Sequence, residues 1–182
     1  MCYKCRTLGK IKITLIFFIV SLAQANNLQV ENVSLTGRNT TDHYAFVEFD
    51  ISWDNSWRDG INWDAVWVFV KYKVIDGEWT VAFLSTDDLD NLAPAGSVVN
   101  NGNNGGVYAP GVFIYRDAAG AGSNNWDNIQ LRWNYGLNGL NDNDLVTVKV
   151  FAIEMVYVPE RAFDLGDGSG GTTSSHFYDA GN

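Results

Sequence analysis

The chain has 182 residues, 12 basic and 21 acidic, for a formal net charge of −9. That excess of acid argues against nucleic acid and anionic membrane surfaces as partners, because both recruit clustered Lys and Arg. Its two cysteines, Cys2 and Cys5, both lie in the first few residues, so the rest of the chain must hold together without disulfides or thiol chemistry.

The first segment reads as a leader. Lys4, Arg6, Lys10 and Lys12 give a positive start, and "ITLIFFIVSLA" (Ile13 to Ala23) is an uncharged apolar run. Ala23 and Ala25 flank Gln24 in the small-x-small pattern that signal peptidase cuts. The run falls short of the roughly 20 apolar residues of a membrane span. Residues 1–25 are therefore expected to be a signal peptide. The chain is expected to be exported to the extracellular space or periplasm, with no membrane attachment after cleavage. Losing four of the 12 basic residues leaves 8 against 21 acids, a net of −13. Residues 26–182 suffice for one domain that buries about 70% of its unfolded surface.

Beyond the leader, apolar residues recur at every second position. The first expected strand is Leu28–Thr36. In "YAFVEFDISW", Ala45, Val47, Phe49, Ile51 and Trp53 share one face, with Glu48, Asp50 and Ser52 on the other. In "VWVFVKYKV", Val66, Val68, Val70, Tyr72 and Val74 alternate with Trp67, Phe69, Lys71 and Lys73. Strict alternation of β-branched and aromatic residues is the signature of a half-buried strand. Asp76-Gly77 predicts a type I′ hairpin turn into a strand at Glu78–Leu84. Further strands are expected at Val112–Arg116, Ile129–Tyr135 and Leu145–Val158, while Asn55–Asn62, "SVVNNGNNGG" (Ser97 to Gly106) and Asn138–Asp144 read as loops. No segment after the leader carries helical periodicity. The expected fold is all-β over residues 26–158: an antiparallel two-sheet β-sandwich, Ig-like or jelly-roll-like, of seven to eight strands. A closed barrel is the alternative.

"SWDNSWRDGINWDAVW" (Ser52 to Trp67) holds four of the seven tryptophans. Asp59-Gly60 breaks the stretch, so it is not one helix face. Trp53 and Trp67 read as sheet residues that pack in the core. Trp57 and Trp63 fall on the expected loop. Together with Trp126 they are the candidates for a glycan-stacking platform, which needs exposed, coplanar rings.

Candidates for catalysis are few. His43 and His176 are the only histidines, no Ser-His-Asp spacing stands out, and zinc has too few Cys and His ligands. Carboxylates are plentiful but fall in turns and on polar strand faces. Calcium is the one ion with candidates: Asp87, Asp88 and Asp90 in "STDDLDN", and Asp142 and Asp144 in "LNDND", bring hard oxygens together in loops. Neither segment matches an EF-hand, and Asp and Asn are also ordinary turn residues. No other cofactor is expected.

The segment "AIEMVYVPERAFDLGDG" (Ala152 to Gly168) resembles the opening of formylglycine-generating-enzyme (sulfatase-modifying factor) domains, Met-Val-x-hydrophobic-Pro-Gly-Gly-x-Phe-x-Met-Gly. Met155, Val156, Val158, Pro159, Phe163 and Gly166 match it. Glu160 and Arg161 stand where the family has glycines, and Leu165 replaces the second Met. "NWDAVWVFVKYKV", "GVFIYR" and "IQLRWNYG" are similar to an N-terminal β-domain that precedes such enzymes in secreted proteins of the Bacteroidetes type. The resemblance implies a non-catalytic accessory module whose partner is a following enzyme domain or a surface protein. It carries no catalytic residue onto this chain, since the family's active-site cysteines and calcium ligands lie downstream of the opening. Residues 159–182, rich in Gly, Ser and Thr, are expected to be a flexible tail or the start of that enzyme domain. The alternatives are a carbohydrate-binding module with a glycan partner, or an N-terminal fragment of a sulfatase-modifying-factor-type enzyme.

Overall fold

A computed structural model describes residues 26–102 and 105–155; the leader with Ala23 and Ala25, and the tail from residue 156, lie outside the described residues. The described residues form eight strands: β1 (Gln29–Asn39), β2 (Tyr44–Arg58), β3 (Ala65–Val74), β4 (Thr80–Val81), β5 (Ser97–Asn101), β6 (Val112–Arg116), β7 (Gly120–Trp133) and β8 (Val146–Met155). Two short 3₁₀ turns, Asp88–Asp90 and Tyr135–Asn138, interrupt the loops.

The strands make two antiparallel sheets packed as a sandwich. One runs β1-β2-β7; in the other, β8 pairs β3 along its full length, Ala65–Val74, while β6 pairs Val66–Val68, β4 pairs Lys71–Tyr72, and β5 lies beyond β6. The alternation seen in the sequence sorts the residues as expected. Val47, Phe49, Ile51 and Trp53 of β2 meet Val66, Val68 and Val70 of β3 in one core, with Ile114, Ile129, Leu131 and Trp133. Each such side chain, fully buried, contributes about 1.5–3 kcal/mol, which is how a disulfide-free sandwich is sustained.

Bulges set the phase of the first sheet. Phe49 pairs Ile129, but Ile51 pairs Trp126, so two steps along β2 match three along β7. The extra residue is accommodated at Asn128, whose φ is +58°, a conformation that Asn tolerates better than most residues. The bulge flips the parity of β7: Trp126, three residues before Ile129, turns inward with it. A second bulge at Asn55 (φ +58°) does the same for β2, so that Trp53 and Ser56 are both buried.

Five local expectations change. The strand expected at Ile129–Tyr135 starts nine residues earlier, at Gly120, and ends at Trp133, with Tyr135 in a 3₁₀ turn. Ser97–Asn101, expected as loop, is strand β5, because Ser97 and Val99 face the core and the segment pairs the edge of β6. The turn after β3 closes one residue early: Gly77 N–H bonds Val74 O at 3.0 Å, and the positive φ falls on Asp76. The strand expected at Glu78–Leu84 shrinks to Thr80–Val81 plus a bridge at Leu84. β2 continues to Arg58, which puts Trp57 on a strand and not on a loop.

Candidate functional site

The tryptophan-rich stretch is organised by one buried carboxylate. Asp64 is 2% exposed; it accepts hydrogen bonds from Trp53 Nε1 (3.0 Å), Ser56 Oγ (3.0 Å) and the Trp57 backbone N–H (2.9 Å). The Trp53 ring meets Trp126 edge-on, with centroids 5.1 Å apart. Both are core residues, Trp126 being 8% exposed. The expectation that Trp126 stacks on a ligand is therefore corrected: the Asn128 bulge hides it. Trp57 is half-buried. Trp63 is at the surface, but its ring lies on Tyr115 (5.5 Å, 30°), with the Arg58 guanidinium 4.8 Å from the Trp63 centroid. The structure does not bring Trp57, Trp63 and Trp126 together as coplanar exposed rings.

The acidic candidates serve the loops. Asp87 caps the first 3₁₀ turn by accepting Leu89 N–H at 2.9 Å. Asp88 accepts Asn100 Nδ2 and Asn101 N–H, and Asp90 pairs with Arg132 at 3.0 Å. Asp144 accepts Asn141 N–H at 2.8 Å. Asp142, in the same loop, is bonded to Tyr135 and His43. Among the described residues, no three His, Cys, Asp or Glu side chains are placed to share an ion.

The Asp142 cluster borders a cleft of about 380 Å³ between β1 and the loop before β8, walled by Leu35, Trp133, Leu140 and Val146. The Tyr135 hydroxyl donates to Asp142 Oδ1 at 2.7 Å, and His43 Nδ1 lies 3.0 Å from the same oxygen. Burial, then the carboxylate, push the Tyr135 hydroxyl above its ordinary 10.0. The Tyr135 bond, then His43, hold Asp142 below its ordinary 3.8. A carboxylate orients an imidazole here, but among the described residues no hydroxyl is bonded to the second ring nitrogen, so the arrangement supplies no activated nucleophile. It clips the His43 turn to the 135–142 loop, with Gly136 N–H bonded to His43 O.

The surface that the sequence reading passed over is the outer face of the β8-β3-β6 sheet. On β8, Val146, Val148, Val150 and Ala152 pack against the core, which turns Lys149, Phe151, Ile153 and Met155 outward. Register places Phe151 opposite Phe69 and Ile153 opposite Trp67. Phe69 and Phe151 stack at 5.1 Å with planes 8° apart, and Trp67 packs on Phe113 at 4.7 Å. Phe151, Ile153 and Met155 remain 39%, 51% and 47% exposed. Exposed apolar side chains in a row on a sheet face are costly in water. Alternation signalled the outward residues of β3, but not that β8 would lie beside them.

No protein-family model, curated protein or solved structure matches the chain.

Proposed function

We propose that this chain is an exported, non-catalytic β-sandwich that acts as a contact module beside a formylglycine-generating-enzyme-like domain, seating that partner on the outer face of its second sheet. The observation that carries the reading is the apolar row Phe151, Ile153 and Met155 on β8, the strand that leads into the Met155-Val156-x-Val158-Pro159 opening. β8 has β3 on one side and no hydrogen-bonded strand on the other among the described residues. The apolar row suits a partner that buries side chains, and β1 packs beside the edge of β8, where Asn26 bonds Glu154. The basic and apolar pattern of residues 1–25 supports export.

The test begins with the genomic locus. An enzyme domain of this kind, encoded in frame or in the neighbouring gene, is expected. Coexpressed with the full chain, it should co-purify, and Ile153→Ser with Met155→Ser should abolish co-purification while the melting temperature stays within a few degrees. Absence of such a domain, or co-purification that ignores the double substitution, overturns the reading.

A further inference from the structure

After residue 12 the chain contains three lysines, Lys71, Lys73 and Lys149, and all three lie on one patch of the outer face of the second sheet. Val70 and Tyr72 point into the core, so Lys71 and Lys73 point out; Val148 and Val150 do the same for Lys149. Register sets Lys71 directly opposite Lys149, with Lys73 two residues along. Lys149 Nζ and Lys73 Nζ lie 4.8 and 5.9 Å from the centroid of the Trp79 ring, which flanks the patch.

This placement works against folding. Like charges directly opposite on a sheet repel each other, and the chain has acids to spare for pairing. Yet among the described residues none of the three lysine side chains makes a hydrogen bond or ion pair, and the two ion pairs present there are His43–Asp142 and Arg132–Asp90. The arginines differ. Arg38 bonds Asp142 O, Arg58 bonds Arg116 O, Arg116 bonds Ser56, Gly122 and Ser123, and Arg132 bonds Asp90 and Asn134. The described arginines hydrogen-bond within the fold, whereas Lys73 and Lys149 only lie near the Trp79 ring.

We infer that the Lys71–Lys73–Lys149 patch binds an anionic polysaccharide, one that carries carboxylate or sulfate groups along its length. Lysines leaving the sheet from Cβ positions roughly 5–7 Å apart match charge repeated along a linear polymer better than one small ion. Lysine is a mobile point charge without fixed donor geometry, suited to groups whose orientation varies along a chain; the rigid arginine fork, which reads a defined carboxylate on a folded partner, is engaged elsewhere. The patch lies toward the Val146 end of β8, next to Phe151 and two outward positions from Ile153, so separate substitution of the Lys71–Lys149 and Ile153–Met155 pairs distinguishes it from the enzyme-contact reading.

The test is affinity electrophoresis and calorimetry of the full chain against polygalacturonate, which carries carboxylate, and dextran sulfate, which carries sulfate, with neutral dextran as control. Retention by one or both charged polymers is expected, and which of them binds tells carboxylate from sulfate. Affinity should fall with salt at a log–log slope of about 2–3, one ion for each lysine engaged. Lys71→Gln with Lys149→Gln should weaken binding about tenfold or more, and Lys71→Arg with Lys149→Arg, which keeps the charge, should restore most of it. Failure of both charged polymers to bind overturns the inference, as does equal retention by neutral dextran or retention unchanged by the Gln pair. Tighter binding to duplex DNA, or a concentration-dependent dimer in sedimentation that the Gln pair abolishes, assigns the patch to another partner and also overturns it.

Discussion

Asp64 lies beneath Trp53, accepting its indole N–H at 3.0 Å while Ser56 and the Trp57 backbone bond the other carboxylate oxygen. One buried side chain thus serves three donors spread over the end of β2. Removing it leaves three buried groups unpaired, each costing about 1–3 kcal/mol. Asp64→Ala should lower unfolding free energy by about 3 kcal/mol in urea titration. Asp64→Asn, which keeps one acceptor oxygen, should lose less. A change within about 0.5 kcal/mol for the Ala variant would show that the network carries little stability.

The Asn128 bulge decides which way Trp126 points. Its backbone N–H is held by Asp50 Oδ1 at 2.8 Å and its φ is +58°. Asn128→Gly should be neutral to within about 0.5 kcal/mol, whereas Asn128→Val should cost about 1–2 kcal/mol through left-handed strain. Trp126→Ala should cost about 3–5 kcal/mol, as expected of a core indole. A Trp126→Ala variant of unchanged stability would return that ring to the list of ligand-stacking groups.

Gly111 makes room for Trp67. A Cβ there would sit 2.5 Å from Trp67 Cζ2 and 2.6 Å from Val68 O. The carbonyl belongs to the central strand β3 and cannot retreat, so Gly111→Ala should destabilise by about 1–3 kcal/mol. Adding Trp67→Leu should relieve only the side-chain half of the clash. Full recovery of the melting temperature in the double variant would count against a backbone contribution.

Acid and alkali should each weaken the Asp142 cluster. The Tyr135 and His43 contacts hold the Asp142 carboxyl below 3.8, so the folded chain gains from the ionised form above that pH and loses the gain as pH falls through and below it. Tyr135 is held above 10.0; as pH rises past that value the unfolded chain gives up its proton first, and stability declines. Melting temperature against pH should therefore drop on both flanks. In Asp142→Asn the acid-side drop should become shallower; a profile identical to the parent would remove this cluster as a source of pH sensitivity.

Much of this architecture was legible beforehand. Ala45–Trp53 and Val66–Val74 lie in strands where their period places them, because alternation records burial of one face, whereas the strand expected at Ile129–Tyr135 runs from Gly120 to Trp133. Ser97–Asn101 escaped notice because "SVVNN" is too short and too polar to stand out; its strand character comes from pairing with β6. The outward Lys71 and Lys73 could be read from β3 alone, but the lysine patch and the Phe69–Phe151 stack could not. Trp126 was misjudged for a related reason: a single inserted residue reverses the parity that sequence spacing assumes.

The sequence by itself determined that the chain alternates, that its apolar sides must be buried, and that it carries an excess of acid. Those are properties of neighbours along the chain, set by a two-residue period and by composition. Tertiary structure alone decided which strands lie side by side, where the bulges fall, and hence which aromatic rings are sealed and which lysines share a face. Register belongs to a pair of strands, fixed by the fit of the whole core, and no single strand contains it.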